Sequence, residues 1–251
     1  MPAAEPYIVE GADGVAVVRL QAGKGNAMNP AFLEVAGAAL DKTTGAGAVV
    51  LTGYERFFCA GLDLVSLYDF SRGQMSAFMG LFDRLVLRLF TWPRPLVAAI
   101  NGHAIAGGCV LALACDVRVM ARGEFRMGLN EIELGLPLPI SALEVARASI
   151  PQAHLDTLLY GGQLYGPDEM NAKGVVDGLA NPETVVSESL EVAQHLAAKP
   201  SAAFAQIKAS LRRPFAERIE ASIRAGTDRF TDAWFHQDAR ARIAEARRAL
   251  Q

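Results

Sequence analysis

The stretch from Pro95 to Cys115 contains no Asp, Glu, Lys or Arg, and it constrains the fold more than any other feature of the sequence. Its length approaches the ~20 apolar residues that span a bilayer. The interior argues against a membrane span, because Asn101-Gly102-His103 is a turn signal and Gly107-Gly108 interrupts the run again. The stretch therefore predicts a short buried strand over Leu96–Ile100, a loop, and a buried helix from about Gly107 to Cys115.

The rest of the first half alternates strand and helix patterns, whereas helical periodicity dominates after about residue 140. Predicted strands are Tyr7–Val9 and Val15–Leu20 around an Asp13-Gly14 turn, Ala48–Thr52, Val117–Met120 and Phe125–Met127. Predicted helices begin at the Asn29-Pro30 cap and at a Ser71/Gln74 capping box, and later ones cover 141–148, 152–160, 183–198 and 201–212 and beyond. The alternation predicts a mostly parallel sheet with covered faces, followed by a docked helical tail.

Composition excludes several classes of protein. The 251 residues carry a net charge of −3, which argues against a nucleic-acid or acidic-membrane partner. Cysteines 59, 109 and 115 form no C-x-x-C pair, and the acidic first residues do not resemble a secretory signal, so a reducing, cytoplasmic setting is expected. The nucleophile elbow of serine hydrolases, the zinc-protease motif and the P-loop do not occur.

Two glycine-bearing junctions are candidates for chemistry. Residues 57–63 follow the Ala48–Thr52 strand, and residues 101–108 follow the Leu96–Ile100 strand. Small residues let a ligand approach the main chain, and free N–H groups at a helix start attract an anion. Taken alone, either junction fits a tight turn packed in a core better than a binding site.

Taken together, the two junctions resemble those of the crotonase superfamily, best known for enoyl-CoA hydratases and isomerases. The resemblance covers nearly the whole chain. It is carried by residues 24–29, 58–64, 97–102 with 107–109, 115–116 and the run Gly128-Leu129-Asn130-Glu131, in family order and spacing. It implies an α/β, ClpP-like spiral of ββα units over residues 1–195 and a C-terminal helical trimerisation region over 196–251. A homotrimer or a dimer of trimers is expected.

The resemblance also assigns roles along the substrate. Backbone N–H groups of Leu62 and Gly107 form the oxyanion hole for the thioester carbonyl of an acyl-CoA. The main chain near Ala27, Ala60 and Leu64 borders the adenine end of CoA. Lys24 is placed to meet a phosphate, although an ordinary solvated lysine fits the sequence equally well. CoA belongs to the substrate, and no metal or redox cofactor is expected.

The family's two acid positions decide between reactions. Hydratases carry a glutamate at each position, whereas this chain has Val110 at the first and Glu131 at the second. A valine cannot activate water, and one carboxylate is sufficient for moving a proton from C2 to C4, as in the Δ3,Δ2-enoyl-CoA isomerase branch. The alternative for Glu131 is a surface side chain at a helix start capped by Asn130. A helical segment there predicts a solvated Glu133.

The acyl pocket is expected to involve Val110, Leu67, Phe82 and Leu136, although Leu67, Phe78 and Phe82 also fit plain core positions at helical spacing. Leu136-Pro137-Leu138-Pro139-Ile140 replaces a Gly-rich stretch of hydratases and leaves the acyl chain length open. We expect a 3-enoyl-CoA to 2-enoyl-CoA isomerase. The alternatives are another enolate reaction, such as hydration, decarboxylation or a lyase step, and an inactive CoA-thioester-binding protein.

Overall fold

The computed structural model describes residues 6–226 and 229–250. Within these ranges the strands are β1 (Tyr7–Ala12), β2 (Val15–Leu20), β3 (Ala48–Thr52), β4 (Phe57–Cys59), β5 (Leu96–Ile100), β6 (His103–Ile105), β7 (Val117–Ala121), β8 (Met127–Gly128) and β9 (Gly178–Ala180). The α-helices are α1 (Pro30–Asp41), α2 (Leu64–Leu67), α3 (Arg72–Phe90), α4 (Gly107–Ala114), α5 (Ile140–Ser149), α6 (Gln152–Gly161), α7 (Pro167–Ala172), α8 (Val185–Ala197), α9 (Ser201–Ala225), α10 (Arg229–Trp234) and α11 (Gln237–Leu250). Short 3-10 helices cover Lys24–Asn26 and Glu131–Leu134.

The large sheet has six strands in the order β1-β2-β3-β5-β7-β9. The hairpin of β1 and β2 is antiparallel, and every other neighbouring pair in this sheet is parallel. The predicted mostly parallel sheet is therefore confirmed. Strands β3 and β5 are buried along their whole length, as expected of strands with covered faces.

A second sheet joins β4, β6 and β8 in parallel. Successive segments repeat the same order: β3, β4 and then a helix; β5, β6 and α4; β7, β8 and α5. The first strand of each unit enters the large sheet and the second enters the small sheet. This is the expected spiral of ββα units, and it brings the ends of β4 and β6 side by side.

The charge-free stretch folds as predicted at both ends. Strand β5 covers Leu96–Ile100, and helix α4 begins at Gly107 with all eight of its residues buried. Between them, the predicted loop also contains strand β6. In the described part of the chain, no helix is both long and apolar enough to cross a membrane.

The helix signals in the first half are confirmed. The Asn29 side chain accepts a hydrogen bond from the N–H of Phe32 and caps α1. Ser71 and Gln74 form the reciprocal capping box that opens α3. The predicted strand over Phe125–Met127 is misplaced, because pairing with β6 begins only at Met127.

The second half is helical, apart from β9 at the edge of the large sheet. Helix α8 packs across that sheet, and α9 packs on α3 and α5. Buried Lys208 and half-buried Arg212 of α9 pair with Asp116 at 2.7 and 3.0 Å, which fixes α9 beside the end of α4. The predicted boundary at residue 195 falls in the last turn of α8 and stays a prediction.

Candidate active site

A cavity of about 840 Å³ opens where the two glycine-bearing junctions meet. Nine of the predicted site residues lie on its wall: Lys24, Ala27, Ala60, Leu62, Leu64, Phe82, Gly107, Glu131 and Leu136. The two others do not, since Val110 is fully buried inside α4 and Leu67 is fully buried in α2. Residues predicted on separate segments of the sequence are therefore brought into one cavity.

In the first junction, the Leu62 N–H has no hydrogen-bond partner among the described residues. Met28 hydrogen-bonds to both of its neighbours: the Met28 N–H donates to the Gly61 carbonyl at 2.7 Å, and the Asp63 N–H donates to the Met28 carbonyl at 2.9 Å. The Leu62 N–H takes part in neither bond and lies on the cavity wall. Just upstream, the buried thiol of Cys59 donates to the Asn26 carbonyl at 3.0 Å and holds this loop in place.

The second junction presents the N-terminus of α4. Gly107 is its first residue, and a helix leaves the first N–H groups without intrahelical partners. A side chain here would force the Met28 side chain to shift, because a Cβ on Gly107 lies 2.8 Å from Met28 Sδ. Ala106 precedes it with φ +49° and ψ −117°, a conformation that favours glycine.

The two junctions are in direct contact. A Cβ on Gly61 lies 2.8 Å from the Ile105 carbonyl oxygen and 3.6 Å from the Gly107 nitrogen, so only a glycine allows this approach. Two backbone donors, at Leu62 and Gly107, therefore border the same part of the cavity. Such a pair, at a helix N-terminus and shielded from water, stabilises an oxyanion strongly.

Glu131 lies on the same cavity at the start of a 3-10 helix. It is 9% exposed, and its Oε2 atom has no hydrogen-bond partner in the described structure. Burial raises the pKa of Glu131 from 4.5 to about 7, and a hydrogen bond with its own backbone offsets part of that rise. The carboxyl group is thus poised to gain or lose a proton near neutral pH.

The alternative for Glu131, a solvated and capped helix start, does not match the structure. Asn130 makes no side-chain capping bond, and the Glu131 side chain points into the buried cavity. Glu133 is exposed, as the helical interpretation predicted.

Asp63 also borders the cavity, but its carboxylate is already engaged. Its Oδ1 accepts a hydrogen bond from the Ser66 N–H at 3.0 Å, and its Oδ2 accepts from Asn29 Nδ2 at 3.2 Å and from the Ser66 hydroxyl. Asp63 thereby caps α2. The cavity therefore offers one carboxyl group with a free oxygen, on Glu131.

The mouth of the cavity is cationic and aromatic. Lys24, Phe57 and His103 border it, and the exposed Arg56 and Arg126 flank His103. The Nδ1 atom of His103 accepts the Arg126 N–H at 3.1 Å. Partial burial and the two arginines lower the pKa of His103, which favours the neutral ring.

Sequence reasoning missed several parts of this cavity. It treats His103 only as part of a turn signal, although its place shortly after β5 is a usable signal for a site residue. Phe230 of α10 and Ala246 and Leu250 of α11 close the wall from the C-terminal region. No local pattern marks these three residues, because they reach the cavity only through tertiary packing.

The described residues contain no cluster of three or more His, Cys, Asp or Glu side chains arranged to hold a metal ion. All three cysteines are buried and unpaired. Burial raises the pKa of the Cys59 and Cys115 thiols to about 12 and raises that of Cys109 as well, so none of them is an activated nucleophile.

Known proteins share this architecture. Residues 10–249 match the model of the enoyl-CoA hydratase/isomerase family. Mitochondrial enoyl-CoA delta isomerase 1 of Mus musculus is 31% identical over 227 residues, covering 88% of this chain and 78% of that protein. The 2,3-dehydroadipyl-CoA hydratase of Escherichia coli is 29% identical over 211 residues, covering 82% and 81%. The crystal structure of human mitochondrial delta3-delta2-enoyl-CoA isomerase matches with a TM-score of 0.93 at 28% identity, covering 98% of each chain. With its ββα spiral and its two junctions, the chain has the crotonase fold and belongs to the enoyl-CoA hydratase/isomerase family.

Proposed function

We propose that this enzyme converts 3-enoyl-CoA thioesters to 2-enoyl-CoA thioesters. The observation that carries the proposal is Glu131: a buried carboxyl group with a free oxygen and a pKa near 7, on the same cavity as two backbone donors. A double-bond shift needs one group that both takes and returns a proton. Glu131 meets that requirement.

In the proposed mechanism, the Leu62 and Gly107 N–H groups bind the thioester oxygen. The Glu131 carboxylate removes a proton from C2, and the electrons of that C–H bond move toward the carbonyl to give a dienolate. The oxyanion hole holds the negative charge that develops on oxygen. Protonated Glu131 then returns the proton to C4, and the double bond forms between C2 and C3.

The residue at position 110 supports isomerisation over hydration. Adding water across a double bond uses one group to activate the water and another to manage the second proton. Val110 occupies the position of the family's first glutamate, and it is fully buried in α4 without any polar atom on its side chain. Asp63, the other carboxylate on the cavity wall, is held as a helix cap.

The CoA moiety is proposed to lie at the cationic mouth. Lys24, together with Arg56 and Arg126, offers positive charge to the CoA phosphates. The main chain at Ala27, Ala60 and Leu64 borders the same cavity and is proposed to contact the adenine end. In this mechanism CoA is part of the substrate, and every proton transfer is assigned to Glu131.

We also propose a homotrimer or a dimer of trimers assembled through the C-terminal helices. Support comes from α9, where Ile207 and Leu211 are 61% and 70% exposed and lie one turn apart. Contiguous exposed apolar side chains of this kind mark protein–protein contacts. The mass of the purified protein in sedimentation equilibrium tests this assembly.

The activity is tested by incubating purified protein separately with 3-hexenoyl-CoA and with 2-hexenoyl-CoA in water. The proposal expects conjugation of the first substrate and no hydration of the second. Hydration of 2-hexenoyl-CoA without conjugation of 3-hexenoyl-CoA indicates a hydratase and refutes the proposal. Binding of both substrates with no product indicates an inactive CoA-thioester-binding protein and refutes it equally.

A further inference from the structure

The turn that carries Lys24 has a main-chain conformation that needs support from outside the turn. Gly23, Gly25 and Asn26 have φ angles of +68°, +64° and +53°, all in the left-handed region. Glycine enters this region without steric cost, but it loses more conformational freedom on folding than any other residue. Gly23, Lys24 and Gly25 also border the cavity, so the shape of this turn decides what Lys24 can reach.

The hydroxyl group of Tyr54 closes this turn. It donates a hydrogen bond to the Gly23 carbonyl and accepts one from the Gly25 N–H at 3.3 Å. The two bonded residues lie on either side of Lys24, so the hydroxyl bridges the main chain around that lysine. Tyr54 itself does not border the cavity. It therefore acts on a ligand through the turn and not by contact.

Tyr54 is held in place by a short turn of its own. The Tyr54 N–H donates to the Phe57 carbonyl, and the Phe57 N–H donates to the Tyr54 carbonyl, both at 3.1 Å. The Phe57 ring lies against the Lys24 turn, since a Cβ added to Gly25 would lie 3.3 Å from Phe57 Cγ. Half-buried Tyr54 thus presents its hydroxyl from a fixed position.

The inner end of the Lys24 turn is fastened independently of Tyr54. The fully buried Asn26 amide group donates to the carbonyl groups of Leu20 and Phe58, at 2.8 and 3.1 Å. The Asn26 side-chain oxygen accepts the Ala22 N–H at 2.8 Å. These bonds join the inner end of the turn to β4 and to the end of β2. Loss of the Tyr54 hydroxyl therefore loosens the outer end and leaves the oxyanion loop in place.

We infer, on the basis of the proposed function, that Tyr54 is a positioning residue for CoA recognition. Its hydroxyl closes the turn before substrate arrives and holds Lys24 where it meets a CoA phosphate. Binding then does not have to order the turn, which improves affinity. Leu62, Gly107 and Glu131 lie outside this turn, so the chemical step does not depend on the hydroxyl.

Tyr54→Phe removes only the hydroxyl, and two substrates separate its effects. 3-Hexenoyl-CoA carries the CoA phosphates, whereas the 3-hexenoyl thioester of N-acetylcysteamine has the same reacting group without them. We expect kcat/KM for the CoA thioester to fall about fivefold with kcat unchanged, equivalent to the ~1 kcal/mol of one hydrogen bond. The N-acetylcysteamine thioester should be unaffected. Equal losses with both substrates, or no loss with either, overturn the inference.

Calorimetric titration with CoA itself gives a second readout that needs no turnover. The Kd for CoA should rise about fivefold in Tyr54→Phe. In the background of Lys24→Ala, the same substitution should change the Kd less than twofold, because the lysine that the turn positions is absent. A fivefold change that persists in Lys24→Ala overturns the inference.

Tyr7→Phe is the matched control, because Tyr7 is also half-buried, lies on β1 and does not border the cavity. It should leave the Kd for CoA unchanged, and an equal rise in Tyr7→Phe overturns the inference. Failure of the unmodified protein to bind CoA refutes the proposed function itself. Binding and isomerisation that are indifferent to Tyr54→Phe overturn this inference alone.

Discussion

Replacing Glu131 with glutamine is expected to abolish isomerisation and to stabilise the fold above neutral pH. The substitution keeps the size and shape of the side chain and removes its ability to ionise. Since Glu131 is buried, with an oxygen that lacks a hydrogen-bond partner, the ionised form is costly in the folded protein. Glutamine avoids that cost but cannot take a proton from C2.

The size of the expected stability change follows from the pKa of Glu131. Burial raises the pKa of Glu131 from 4.5 to about 7, and each unit corresponds to about 1.4 kcal/mol. Ionising Glu131 in the folded protein therefore costs about 3 kcal/mol of unfolding free energy. Between these two pKa values the folded state binds more protons than the unfolded state. The contribution of Glu131 to the stability of the unmodified protein consequently falls as pH rises through this window and is constant above it.

The assay is urea unfolding at one protein concentration, at pH values below 4.5 and above about 8, for the unmodified protein and the variant. The stability difference in favour of Glu131→Gln should grow by about 3 kcal/mol between the two conditions. Glu133→Gln is the control, because Glu133 lies two residues away and is exposed. A stability difference that does not change with pH, or isomerisation that survives in Glu131→Gln, refutes the reasoning.

Three further outcomes are expected. The kcat/KM for 3-enoyl-CoA should rise with pH through an apparent pKa of about 7, because Glu131 must be ionised to accept a proton. A kcat/KM that stays constant down to pH 4.5, the ordinary pKa of a glutamate side chain, contradicts this expectation. Ala106→Gly should raise the free energy of unfolding, measured with urea, by up to ~1 kcal/mol and preserve activity, since the φ of +49° at this position favours glycine. A loss of stability contradicts the assignment of strain. Asp116→Ala should lower the free energy of unfolding by about 3–5 kcal/mol, because it leaves buried Lys208 and half-buried Arg212 without their counter-ion. A loss under ~1 kcal/mol contradicts the importance of this cluster.

Local pattern was sufficient for the elements that carry their own signals. Strand β5 and helix α4 were predicted from an uncharged run broken by glycine, and α1 and α3 from their capping residues. Strands β4, β6 and β8 are too short for an alternating pattern and exist because they pair with each other across the ββα units. The small sheet was accessible to sequence reasoning only through the family resemblance.

The candidate site also has parts that sequence motifs predict and parts that only tertiary packing creates. Leu62, Gly107 and Glu131 were named from motif positions, and the structure places them on one cavity. Val110 was expected on the pocket wall because it lies one turn after Gly107, but the Val110 side chain is packed inside the core. A further cavity of about 810 Å³, also bordered by Glu131, depends on packing between α6 and the segments around Leu136 and Phe230, which are distant in sequence. Periodicity within one helix carries no information about such a space.

The three buried cysteines provide a way to time the opening of the molecule. Cys59 lies three residues before Leu62, Cys109 lies two residues after Gly107, and Cys115 follows the end of α4. A thiol reacts as its thiolate, and burial disfavours the thiolate at all three positions. An alkylating reagent should therefore reach them only when the fold opens. The rate of labelling then reports how often the buried region around these cysteines becomes exposed. Slower labelling in the presence of acyl-CoA would measure how strongly the ligand suppresses this opening.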